Sequence, residues 1–219
     1  MLYTILLMLF FPLPLLSFSI MLDPAGDTKV TGRCIGDSFE RGLTLQYTQQ
    51  LKQLLEEHVP DVRVSITRLP GETVTELQNA HFANRMAVDL YVSVHFFKEQ
   101  EVVPRVYIYT YGQHDDTDLR KIDLSFYRYD QIHLCNAAQT KKWSNLLFQT
   151  LNQQQYQKKL FCPGVYQLPF KPLIGIKASA LVLEIGLKNK DDWRQFIDPV
   201  CSGIMTVARH YAGGKDDAQ

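Results

Sequence analysis

DLYVSVHFF, residues 89–97, decides the fold. Both of its alternating sets of side chains are largely apolar, so both faces must be covered, as in a central strand of a parallel sheet. Working outward, SIMLD (19–23), VRVSITR (62–68), RVYIYTY (105–111) and ALVLEIG (180–186) read as further strands, with a short one near 164–168. Helical stretches lie between them. Asp37 is a candidate N-cap for a helix over 38–58 that carries Leu43, Tyr47, Leu51, Leu54 and Leu55 on one face, and Pro60 stops it. Residues 74–87, 131–155 and 190–211 follow helical spacing too. Strands alternating with helices predict the α/β class: one domain over residues 18–212, with a mostly parallel twisted central sheet and helices on both faces. Residues 112–129 are polar and aromatic without a clear period and read as an excursion over one face. GGKDDAQ (213–219) reads as a flexible tail.

Composition suits that single domain. The chain has 219 residues, 46% of them hydrophobic, which excludes a disordered chain. Lys and Arg number 23 and Asp and Glu number 23, so there is no basic excess and no nucleic-acid partner is expected. The charges are unevenly spread: residues 1–22 carry none. MLYTILLMLFFPLPLL (1–16) has the apolar core of a secretory signal, so residues 1–17 read as a signal peptide or a membrane anchor. The 22 uncharged residues are just long enough to span and tether the chain. A buried hairpin or a misplaced start is the plain alternative. Either export reading places the protein in the periplasm or cell envelope. Cys34, Cys135, Cys162 and Cys201 show no CxxC spacing, so a thiolate zinc site is not expected, and free buried thiols are the simplest reading.

Sites in open α/β sheets form beyond the carboxyl ends of strands. Here those ends bring Asp23 and Asp27, Arg68, His95 and Glu184, and Glu40 opens the first helix. Carboxylates and an imidazole on one edge could hold a metal. Each residue also has a bland reading. Glu40 follows Asp37 by three, the spacing of a capping box. His95 could be a satisfied core histidine, and Asp27 in DPAGD a turn residue. Glu184 ends LVLE and needs a partner if buried; Arg68 is one candidate.

The order of these segments resembles the zinc-dependent N-acetylmuramoyl-L-alanine amidases of peptidoglycan. IMLDPAGD (20–27) is similar to the family's first strand and its Asp-Pro-Gly-His-Gly turn. FERGLTLQYTQQLKQLL (39–55) resembles the helix that opens on a glutamate ligand, and VSITR (64–68) the second strand. FANRMAVDLYVSVHFF (82–97) and LVLEIGLKNKDD (181–192) resemble the segments that carry a histidine ligand and the catalytic glutamate. The resemblance implies metal ligands Glu40 and His95, Glu184 as catalytic acid/base, and Arg68 and Asn84 as bracing residues. The family's first-turn histidine is missing, and Asp27 stands there with a one-residue shift. It completes an implied ligand set of Asp27, Glu40 and His95. Two carboxylates and one imidazole would suit Zn2+ and also tolerate Mn2+ or Fe2+.

The implied reaction is hydrolysis of the amide between N-acetylmuramic acid and L-alanine, with peptidoglycan as the partner. The missing histidine motivates a second expectation, a catalytically impaired amidase-fold module that binds wall fragments or a protein. A third is another metallohydrolase, a peptidase or deacetylase, on a similar site. Convergence of the oxygens of Asp27 and Glu40 with a ring nitrogen of His95 separates the first from the second.

Overall fold

A computed structural model describes residues 17–112 and 129–216. The expectations for residues 1–16, for 113–128 and for 217–219 lie outside the described residues. The elements follow in order: β1 (Ser19–Pro24), β2 (Cys34–Ile35), β3 (Ser38–Phe39), α1 (Glu40–His58), β4 (Arg63–Ile66), α2 (Glu76–Met86), β5 (Leu90–Lys98), β6 (Val106–Thr110), α3 (Ala137–Leu151), β7 (Val165–Gln167), β8 (Ser179–Leu187) and α4 (Ile197–Asp216). A single turn of 3-10 helix leads into each of α3 and α4.

The main sheet has the order β4-β1-β5-β8-β6-β7. Its neighbours are parallel except β6 and β8, which are antiparallel. β5 is central and buried through Val94, as its two-sided apolar pattern requires. One face of the sheet presents Ile20, Leu22, Val92, Val94, Leu183, Val106 and Ile108 to Leu43, Tyr47 and Leu51 of α1, Trp143 and Leu147 of α3, and Val200 and Ile204 of α4. The other face presents Met21, Tyr91 and Val182 to Ala80 and Ala83 of α2. Burial of these apolar side chains stabilises the fold by about 25 cal/mol for each Å² removed from water.

Sequence and structure differ at the start of α1, at both ends of α3 (137–151 against an expected 131–155) and at the end of α4. α1 starts at Glu40 with Phe39 as N-cap, not Asp37, and no side chain caps it. A short antiparallel pairing of β2 with β3 takes up the residues just before it. α2 has the capping box that the first helix lacks, formed by Thr75 and Gln78. α4 continues past Gly213 to Asp216, into the stretch read as a tail, because glycine weakens a helix by only about 1 kcal/mol and does not block its ladder. Among the described residues no helix is long and apolar enough to cross a membrane.

Candidate functional site

Strand register builds the site. His95 of β5 lies beside Glu184 of β8, and Glu184 lies beside Tyr107 of β6. These three form one row on the sheet face that α2 covers lower down. The next row runs Asp23, Ser93, Val182, Tyr109 and Tyr166. Glu40, at the first residue of α1, reaches this edge from the side.

Glu40 is buried and fully engaged. Its Oε2 accepts the Arg33 amide at 2.9 Å and its Oε1 accepts the Phe96 amide at 2.9 Å. The same Oε1 lies 3.4 Å from His95 Nδ1. Burial alone would raise its pKa, but hydrogen bonds from His95 and from the Arg33 and Phe96 amides outweigh that and hold it below the usual range. The capping-box reading of Glu40 is therefore corrected, because its carboxylate turns away from its own helix to a loop and a strand. Gly32 makes the approach feasible: its φ is +75°, and a Cβ there would lie 2.6 Å from Glu40 Oε2.

His95 is oriented by a buried chain of hydrogen bonds. The Ser93 hydroxyl donates to Asp23 Oδ2 at 2.8 Å and lies in hydrogen-bond contact with His95 Nε2 at 3.2 Å. That leaves Nδ1 facing Glu40. Asp23 Oδ1 also accepts the Thr67 hydroxyl at 2.7 Å and the Asn79 amide at 3.0 Å. Sequence reasoning gave Asp23 no such role; its only signal was a carboxylate ending an apolar strand.

Glu184 pairs with Arg33, not Arg68. Arg33 Nη1 donates to Glu184 Oε1 at 2.6 Å and to the Phe96 carbonyl at 3.2 Å. Tyr109 donates to Glu184 Oε2 at 3.3 Å. Burial and the Glu184 carboxylate push the Tyr109 phenol up to about 12. Arg33 sits in a polar, Gly-containing loop and carried no sequence signal.

Arg68 is buried and holds the loop after β1, donating to the carbonyls of Pro24, Ala25 and Arg41. Asn84 clamps another loop, donating to the Gly175 carbonyl at 2.7 Å and accepting the Lys177 amide at 2.9 Å. Asp27 folds back on its own turn. Its Oδ1 accepts the amides of Lys29 at 2.8 Å and Val30 at 2.7 Å. The Val30 amide, against the opposing effect of burial and with help from Lys29, holds its carboxyl below the usual range.

The fit to a metal follows. Ligands at about 2.1 Å in a tetrahedral shell stand about 3.4 Å apart, and His95 Nδ1 and Glu40 Oε1 have that separation. They make two donors of a centre that needs three. Asp27 does not join them, and among the described residues no three His, Cys, Asp or Glu side chains are grouped to hold a metal ion. A guanidinium stands against Glu184 instead. Among the described residues, the donors in place make two of the three ligands that a catalytic ion needs.

A mostly parallel sheet with carboxylates and an imidazole gathered beyond its strand ends places the candidate site where open α/β sheets form theirs. The Amidase_3 family model, described as N-acetylmuramoyl-L-alanine amidase, matches residues 20–202. The chain belongs to that family. Solved structures agree on the fold. The catalytic domain of CwlV, an N-acetylmuramoyl-L-alanine amidase from Bacillus (Paenibacillus) polymyxa var. colistinus, superposes with a TM-score of 0.62 at 16% identity, over 89% of this chain and 98% of that one. The amidase AmiC2 of Nostoc punctiforme gives 0.61 at 15% identity, over 88% and 97%. The amidase of Clostridium difficile 630 gives 0.63 at 15% identity, over 88% and 97%. No curated protein matches the chain.

Proposed function

We propose that this chain engages peptidoglycan at the amide between N-acetylmuramic acid and L-alanine, and that hydrolysis there is impaired. Family membership supports the substrate. The observation that carries the impairment is the Arg33 guanidinium on Glu184 at 2.6 Å, together with Asp27 turned into its own loop. A general base must be free to accept a proton, and both Glu184 oxygens are already engaged, Oε1 by the Arg33 guanidinium and Oε2 by the Tyr109 hydroxyl. Glu184 then serves as an acceptor for substrate amides, with Tyr109 fixing its second oxygen. Peptidoglycan lies outside the cytoplasmic membrane, so this reading agrees with an exported chain in the periplasm or envelope, either cleaved or tethered through residues 1–22.

A second reading keeps hydrolysis, and the tetrahedral spacing of His95 and Glu40 favours it. Asp27 would turn to join them around Zn2+, or Mn2+ or Fe2+, and Glu184 would pass a proton from water to the leaving amine. Such an ion, when bound, polarises the carbonyl and acidifies water.

One experiment separates the two. Purified peptidoglycan is incubated with the full chain, with and without added zinc, and the pellet and the soluble products are analysed. The first reading expects the protein in the pellet and no released stem peptide. Released peptide beginning with L-alanine, lost in Glu184→Ala, establishes the second. Protein absent from the pellet, with no product, removes both.

A further inference from the structure

Beside the row of His95 and Glu184, read above as the amide row, the sheet carries four aromatic rings, of which Tyr109 and Phe170 also pack against the smaller core. Tyr107 and Tyr109 project from β6 on the face opposite Val106 and Ile108, which are buried in the main core. Tyr166 of β7 lies beside Tyr109, at the edge of the sheet. Phe170 follows in the loop after β7. Tyr107 and Tyr109 are stacked at 6.1 Å with 19° between their planes, and Tyr109 and Phe170 at 5.0 Å with 30°. Tyr166 leans over this shelf at 6.0 Å from Tyr109 and 6.2 Å from Tyr107. Tyr166 is 42% exposed, and Tyr107, Tyr109 and Phe170 are half-buried. The shelf starts at Glu184, through the Tyr109 hydroxyl.

We propose that this shelf, formed by Tyr107, Tyr109, Tyr166 and Phe170, seats a pyranose ring of the glycan strand next to the amide row. The proposal rests on reading that row as the place where the muramoyl amide docks. Two features favour a sugar. The π face of an aromatic ring carries negative charge density and packs against C–H groups, and one face of a pyranose is a layer of them. Tyrosine adds rim hydroxyls that exchange hydrogen bonds with sugar hydroxyls and acetamido groups. Among the described residues, the shelf is uncharged away from its borders with Glu184 and with Arg105, which lies over Tyr107 at 5.8 Å. An uncharged surface matches a neutral glycan better than the charged stem peptide. Continuity fixes the direction: the amide meets Glu184, and the glycan runs across β6 towards β7.

Chitotetraose, a glycan without stem peptide, is titrated into the full chain by calorimetry. Insoluble peptidoglycan is pelleted with the same protein in parallel. The wild type is expected to bind chitotetraose, and Tyr166→Ala and Tyr107→Ala each to weaken it about tenfold, as loss of one stacking ring does elsewhere. Leu77→Ala, on the exposed side of α2, leaves binding unchanged. Circular dichroism checks that each variant is folded; Tyr166, on an edge strand, is the safer of the two. Chitotetraose binding that survives both tyrosine variants overturns the proposal. So does a wild type that pellets with peptidoglycan but ignores chitotetraose, an outcome that leaves the function reading standing. A stem tripeptide that binds in place of the glycan and is lost in Tyr166→Ala reassigns the shelf to peptide and overturns it as well. Failure to bind either glycan or peptidoglycan removes both readings together.

Discussion

Arg33 and Glu184, 151 residues apart in the chain, meet at 2.6 Å on the open half of the sheet. The same Arg33 donates its backbone amide to Glu40, so one loop residue addresses two carboxylates of the site. Arg33→Ala separates these roles, because only the guanidinium is lost. Its side chain is 50% exposed, so the pair contributes about 0–1 kcal/mol and the variant stays folded. Removing a positive charge beside Glu184 is expected to tighten zinc binding about tenfold by calorimetry, which is about 1.4 kcal/mol. Unchanged zinc affinity would mean that the guanidinium does not oppose a metal here.

Asp27→Ala tests whether that carboxylate serves its turn or a metal. It removes the acceptor of two exposed amides and is expected to cost about 1 kcal/mol in urea unfolding. Metal content by elemental analysis should not change. A stoichiometric ion present in the wild type and absent from the variant would restore the three-ligand centre.

Asp23→Ala should be far more damaging. It strands the hydroxyls of Thr67 and Ser93 and the amide of Asn79, all buried, and is expected to cost about 3 kcal/mol or more. Denaturant midpoints of the wild type and the variant measure it. A loss below about 1 kcal/mol would show that water replaces the carboxylate.

Glu99 sets an acid limit on stability. Burial works against its charged form, but Arg105 and the amides of residues 100, 101 and 105 prevail and lower it from 4.5 to about 2. A lowered carboxylate stabilises the fold above its unfolded pKa, and that contribution is lost as pH falls through the folded value. The thermal midpoint should therefore fall between about pH 4.5 and about pH 2. Glu99→Gln should lower stability at neutral pH and flatten that limb.

Thiol reactivity offers a further check. Cys34 is exposed, Cys162 and Cys201 are buried, and Cys135 is intermediate; all four are free. Burial pushes the Cys162 thiol up to about 12 and Cys201 up to about 11. In the native protein Cys34 should react first with a disulfide reagent and Cys135 more slowly, while Cys162 and Cys201 react only on unfolding.

The strands were legible from apolar periodicity, and their alternation with helices gave the α/β class. β5 and β8 are buried nearly end to end, so their pattern had no competing reading. Helix starts were less legible. Asp37 looked like a cap by residue type, but the β2–β3 pairing takes the backbone that would have formed the preceding turn. Instead, Asp37 pairs with Lys190 at 3.0 Å. The partner of Glu184 was misread for a related reason. Arg68 stood at a strand end, but its guanidinium is spent on three carbonyls.

Sequence periodicity by itself determined that His95 and Glu184 would lie in two apolar, buried strands of one sheet; that β5 and β8 are neighbours in a register that sets the two side by side was decided by the sheet. Periodicity also placed Glu40 at the start of a helix that must pack on that sheet. Only the tertiary structure decided where Asp27 and Arg33 point. Between β1 and α1 the chain turns through Gly26 and Gly32, both at φ +75°, which folds Asp27 back on its own amides and carries Arg33 over the sheet. Side-chain spacing encodes which face of a strand a residue occupies. It does not encode the direction of an irregular loop, which is set by a few backbone angles and by the hydrogen bonds that remain to be satisfied after the sheet has formed.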